Sequence, residues 1–281
     1  MMDKVVGFVR FSVISRRGAG AYNSSRDKTF AEAASVIFNE ARLRQRLDLF
    51  ELMPAASLRH QTDRNFSVKI LTSTELPPFA RQRLESICSL DSNLEIVDVG
   101  YEDDTGAIMG SFCPNGERVI TFRLDDDDAL HPEHVADLRV MAHGKQDMIL
   151  TSPFGIYLQP YQDTLLIDRV DYAQNAFGIG YISRNGQTIW DQGPHHKLDE
   201  RKMVRNKRGS AWIRSTHAGS DSGTRIEYDR EKLEGIERFA ETERDYAFVN
   251  FQRLHDLLGK VDAPDPAKTS IIAKALQFLR R

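Results

Sequence analysis

An apolar, β-rich run, Val119-Ile120-Thr121-Phe122-Arg123-Leu124, ends on four consecutive carboxylates, Asp125 to Asp128. Such a run forms a buried strand, and four adjacent like charges at its end destabilise the fold unless something positive meets them. The junction therefore predicts a strand whose carboxyl end opens on a polar crevice, the place where open α/β sheets bind ligands. The upstream pattern agrees with such a sheet. Val5 to Ile14 predicts a first strand, and Glu40 to Arg59, with Leu43, Leu47, Phe50, Leu52 and Leu58, a first helix. Phe66 to Leu71 reads as a second strand, Pro77 to Ser89 as a second helix, Leu94 to Val99 as a third strand and Arg118 to Leu124 as the fourth. Strands alternate with helices, so the expected class is α/β with a mostly parallel, doubly wound sheet flanked by helices. A helix through His134, Val135, Leu138 and Met141 follows Pro132. Strand-like runs at Asp147 to Thr151, Gly155 to Leu158 and Thr164 to Val170 alternate less regularly and predict a smaller mixed region.

Composition narrows the function classes. Lys and Arg number 38 against 41 Asp and Glu, a formal charge of -3, which lacks the basic excess of a dedicated nucleic-acid binder. Cys88 and Cys113 are too few for a disulfide framework or a four-cysteine zinc site and are expected to be free, in a reducing compartment. No stretch reaches the roughly 18–20 apolar residues of a membrane span. Met1 to Val13 lacks the pattern of a cleaved leader, so a cytoplasmic location is expected. Gly-rich phosphate loops of either common spacing are absent from the sequence.

The acidic run has two readings. In one it is a solvated turn in which Asp128 caps the following helix. In the other it holds Mg2+ or Mn2+, hard ions that take carboxylate oxygens and keep positions for water and phosphate. The position at a strand end favours the second reading. A calcium loop is excluded by the missing spaced oxygen ligands and central Gly, and His131 and His134 lie at the wrong spacing for zinc.

Three stretches, taken in order, resemble bacterial glycosyltransferases of the GT-A fold, and within them the rhamnosyltransferase family. They are Val9-Arg10-Phe11-Ser12-Val13, then Ala56-Ser57-Leu58-Arg59-His60-Gln61-Thr62 with Asn65 to Ile70, and Thr121 to Leu130 with its DxD-like element. The resemblance implies a single GT-A-like domain over residues 1–281, with residues 1–130 binding a nucleotide sugar and residues 131–281 forming the acceptor side and a C-terminal helix. It implies transfer of a sugar, rhamnose in the family's name, from a nucleotide-diphosphate donor to a glycan or lipid-linked acceptor. Carried over by position, Asp127 and Asp128 would hold Mn2+ or Mg2+ with His217, while Arg10, Phe11, Arg123, Asp125 and Asp126 would face the nucleotide sugar. A relative of the same fold that only binds a glycan is the alternative. The Asp-Asp-Gly-Ser element usual in larger relatives is replaced here by Leu71-Thr72-Ser73-Thr74.

Transfer with inversion needs a base for the acceptor hydroxyl. Asp191, beside Trp190, is the first candidate and His196 the second. The basic stretch Arg201, Lys202, Arg205, Lys207 and Arg208 reads either as a solvated loop or as a flap over a diphosphate. Ser270 to Arg281 is amphipathic and is expected to pack on its own domain or to touch the inner face of a membrane as a peripheral contact.

Overall fold

The computed structural model describes residues 3–16, 28–161, 164–216 and 243–258. In chain order these form β1 (Lys4–Arg10), α1 (Phe30–Ile37), α2 (Glu40–Phe50), α3 (Ala56–Arg59), β2 (Ser67–Ser73), α4 (Pro78–Cys88), β3 (Leu94–Val99), α5 (Thr105–Ser111) and β4 (Val119–Asp125). There follow β5 (Asp128–Leu130), α6 (His134–Ala142), β6 (Met148–Thr151), β7 (Phe154–Tyr161), β8 (Thr164–Asp171), β9 (Gly180–Ser183), β10 (Met203–Arg205), β11 (Trp212–Ser215) and α7 (Phe251–Leu258). Among the described residues, a 7-stranded sheet runs β10-β6-β9-β4-β1-β2-β3 and a 4-stranded sheet runs β5-β11-β7-β8. The larger sheet is parallel except where β9 lies antiparallel between β4 and β6. This is the expected α/β class, a mostly parallel sheet flanked by helices, with a smaller mixed sheet beside it.

Alternation along β1 builds two cores. Val5 and Val9 face Leu43, Leu47 and Phe50 of α2 and Leu124 of β4. Val6 and Phe8 face the other way, toward Met109 of α5 and Trp190. Helix α2 starts where Asn39 accepts a hydrogen bond from the Arg42 N–H at 3.1 Å. Its path then continues through a wider turn at Glu51–Ala55, around Pro54, into α3. Pro54 has no N–H to donate, which accounts for the single predicted helix being interrupted there.

Other boundaries differ for physical reasons. The first strand stops at Arg10 rather than Ile14, because Ser12 takes a left-handed conformation with φ of 50° and breaks the extended path. Helix α1 was not expected, although Thr29 and Glu32 cap it reciprocally. Strand β9 is short and apolar, and only its place between two other strands makes it one.

The small sheet closes on Trp212, whose indole N–H donates to the Ser152 carbonyl at 2.8 Å. A Cβ on Gly155 would fall inside that indole ring. Gly155→Ala is therefore expected to destabilise the protein by about 1–3 kcal/mol, read as a lower urea midpoint with an unchanged slope. Among the described residues, no helix is long and apolar enough to cross a membrane. Cys88 and Cys113 are free and buried, and burial pushes their thiols up to about 12 and about 11.

Candidate functional site

Strand order reverses beside β1, which has β2 on one side and β4 on the other. The crevice outside the carboxyl ends at such a reversal is the expected ligand position. Arg10, the last residue of β1, is the register partner of Asp125, and Phe8 is the partner of Arg123. Alternation therefore puts Arg10, Arg123 and Asp125 on one face of the sheet. Trp190 supports them, with the Arg10 guanidinium 4.3 Å and the Arg123 guanidinium 4.2 Å from its ring centroid.

The turn that carries Trp190 is fixed at several points. The Ile189 N–H donates to Thr121 Oγ1 at 2.9 Å, and the Trp190 N–H donates to Thr188 Oγ1 at 3.2 Å. Asp191 closes the same turn, its Oδ2 accepting from the Thr188 N–H at 2.7 Å and from Thr188 Oγ1 at 2.9 Å. The acid named first as a base thus holds the tryptophan in place.

Arg123 reaches Asp125 Oδ1 at 3.3 Å, while its Nε has no hydrogen-bond partner among the described residues. Burial lowers its hold on its proton; Asp125 opposes that shift and the positive Arg10 adds to it. It stays charged, since an arginine begins so far above neutrality. Guanidiniums with unused donors are the groups that bind anions in proteins.

His195 lies within electrostatic reach of the same groups. Its Nδ1 is 2.6 Å from the Gln174 carbonyl oxygen, so Nδ1 carries the hydrogen and Nε2 the lone pair in the neutral ring. Burial lowers its pKa; the bond to Gln174 and the charge of Asp125 oppose the shift, and Arg123 and His196 reinforce it. The Gln174 loop is in turn pinned by buried Asn175, whose amide donates to the Tyr172 and Ser152 carbonyls at 2.9 and 3.1 Å. His196 is exposed, with its ring 5.5 Å from that of His195.

The acidic run does not stay together. Asp125 ends β4 with its side chain 36% exposed, Asp126 and Asp127 make a turn, and Asp128 begins β5. Asp126, Asp127 and Asp128 are 2%, 8% and 2% exposed. Arg46, buried on α2, pairs with Asp126 Oδ1 at 3.3 Å and with Asp127 Oδ2. Asp128 Oδ1 accepts from the Ser215 N–H at 3.1 Å, and Ser215 Oγ donates to the Asp127 carbonyl at 2.7 Å. Arg214 is the cross-strand partner of Asp128. Burial pushes Asp126 up to about 6 despite Arg46, and it raises Asp128 well above the usual carboxylate range despite Arg214.

Several expectations are corrected by this geometry. Phe11 is a core residue, fully buried with its ring edge-on to Phe50 at 5.6 Å, so it has no surface for a nucleotide. Asp126 turns inward onto Arg46 and does not face the crevice. Asp128 does not cap α6, which starts six residues later at His134, because it pairs with β11. The arginines of the basic stretch pair with acids, Arg201 with Asp199 at 3.0 Å, Arg205 with Glu200 at 2.6 Å and Arg208 with Asp137 at 2.5 Å, and Arg201 stays exposed, as the solvated-loop reading has it. His217 and Ser270 to Arg281 lie outside the described residues. The Gln61-Thr62 element fastens the back of the site. Gln61 donates to the His131 carbonyl at 2.9 Å and accepts from the Val135 N–H at 3.0 Å, and the Thr62 N–H donates to the Pro132 carbonyl at 2.9 Å.

Among the described residues, which leave out His217, the acidic run does not gather as a ligand set for a divalent ion. Among the described residues no three His, Cys, Asp or Glu side chains gather as metal ligands. Asp126 and Asp127 are engaged by Arg46, and Asp125 points to the opposite side with Arg123.

The geometry defines an α/β domain with two arginines, Arg10 and Arg123, gathered on Trp190 at its strand reversal. The chain matches the family described as "Putative rhamnosyl transferase" over residues 4–228 and belongs to that family. Among solved structures it is similar to S. aureus TarS 1-349, at 10% identity and a TM-score of 0.37 over 75% of this chain and 60% of that chain. The same TarS fragment in complex with UDP-GlcNAc gives 10% identity and a TM-score of 0.36 over 79% and 62% of the two chains. A Bacillus anthracis protein described as a "Putative Glucose-1-Phosphate Thymidylyltransferase", in complex with sucrose, gives 12% identity and a TM-score of 0.40 over 93% and 98%. This chain thus spans less than two thirds of the TarS chains it is similar to. No curated protein matches it.

Proposed function

We propose that this protein is a glycosyltransferase that moves a sugar, rhamnose in the family's description, from a nucleoside-diphosphate donor to a hydroxyl of a glycan or lipid-linked acceptor. The observation that carries the reading is the pair Arg10 and Arg123 on Trp190, at the strand reversal of a chain belonging to this family. In transfer, the bond from the anomeric carbon to the diphosphate oxygen breaks, and negative charge grows on the leaving group. Two guanidiniums fixed before reaction stabilise that charge without reorganising. The acceptor oxygen bonds to the anomeric carbon and its proton passes to a base. We assign that base to His195 rather than to Asp191 or His196. His195 is neutral, with Nε2 free of the Gln174 bond, whereas Asp191 is committed to its turn.

Thermal-shift measurement against uridine, thymidine and guanosine diphosphates and their sugars tests the reading. A ligand at about 100 times its Kd stabilises the native state by about 2.7 kcal/mol, so the correct base gives a clear rise in Tm. Slow hydrolysis of the matching nucleotide sugar is expected as well. No shift with any nucleotide, together with no hydrolysis, sinks the proposal and leaves a glycan-binding module.

A further inference from the structure

The run Asp125 to Asp128 brings four negative charges to one strand end, and the chain supplies its own cations for them. Arg123 meets Asp125, Arg46 meets Asp126 and Asp127, and Arg214 lies across from Asp128. Arg46 is 4% exposed and occupies the apolar stripe of α2 between Leu43, Leu47 and Phe50, so it has no route to solvent. A divalent ion on Asp127 would stand within a few ångströms of that guanidinium, where repulsion is poorly screened. The remaining carboxylate, Asp125, is among the described residues a single ligand on the other face of the sheet, and a hard ion held by protein wants more. The crevice already contains Arg123, with an unused Nε donor, close to Arg10.

We propose that the donor diphosphate is bound through Arg10 and Arg123 with no divalent ion required, and that Asp126, Asp127 and Asp128 form an arginine-paired joint between the two sheets. The inference rests on the donor-site reading above.

The test is calorimetric titration of the full wild-type chain with uridine, thymidine and guanosine diphosphates, once in excess EDTA and once in excess Mn2+. The bound nucleotide is expected to keep its Kd within about threefold between the two conditions. A loss of about tenfold or more in EDTA overturns the inference while leaving the donor site standing. Absence of binding by all three nucleotides in both conditions overturns the donor-site reading and the inference with it. Mn2+ alone, followed by its electron paramagnetic resonance signal, is expected to remain free in the presence of the wild type. Stoichiometric loss of that signal, restored by Asp127→Asn, overturns the inference independently of any nucleotide.

Discussion

Replacing His195 by glutamine is expected to lower kcat for sugar transfer by about 10²–10⁴-fold, the usual contribution of a positioned base. Nucleotide affinity should stay close to that of the wild type, since the ring serves the acceptor proton and not the diphosphate. The pH dependence carries a sign. A base acts when unprotonated, and burial holds His195 below the ordinary histidine value of about 6.5. Wild-type kcat/KM should therefore be level through neutrality and fall as pH drops below about 6.5, and that acid limb should vanish in His195→Gln. A variant that loses less than about threefold, or keeps the limb unchanged, removes His195 from the role.

Arg46→Met should destabilise the fold by about 3–5 kcal/mol, because it leaves two buried carboxylates without their cation. The deficit is expected to shrink on acidification. Without Arg46, the folded-state affinity of Asp126 for protons rises still further above that of the unfolded chain, so the folded state binds more protons and gains stability as pH falls. Asp126 already sits at about 6 in the wild type, by burial against the pull of Arg46, so the wild type shows the same sign with a smaller amplitude. Urea denaturation at pH 7 and pH 5 reads this directly, and adding Asp126→Asn and Asp127→Asn to Arg46→Met should recover part of the loss. A deficit under about 1 kcal/mol, or one that grows at pH 5, contradicts the buried pairing.

The two examples show where the sequence speaks and where it is silent. The strands of the parallel sheet are apolar runs bounded by turns, and β3 falls on the expected residues, because each run is buried whatever its neighbours. The strand-end carboxylates were legible for the same reason. Their counter-ion, Arg46, was missed, though the sequence carries a signal for it. Arg46 sits at the core spacing of α2, among Leu43, Leu47 and Phe50, and a charge on a buried stripe demands an opposite charge. The pairing of Thr29 with Glu32 likewise marked α1. Other features depend on what the fold brings together. The choice of His195 over His196 turns on the Gln174 carbonyl, 21 residues earlier in the chain, and the support under Arg10 and Arg123 turns on Trp190 arriving from a distant turn. Helix α5 is short and contains Gly106 and Gly110, so its periodicity is weak, and Asp104 as its cap is the main local cue.

The central claim is a nucleoside-diphosphate site built on Arg10, Arg123 and Trp190. Its most direct test is calorimetric titration of the nucleotide giving the largest thermal shift into wild type and Arg123→Met. Loss of charge-assisted hydrogen bonds to the diphosphate predicts a Kd raised by about 10–100-fold in the variant, with Tm showing that it remains folded. An equal Kd in both proteins would contradict the account and place the nucleotide elsewhere.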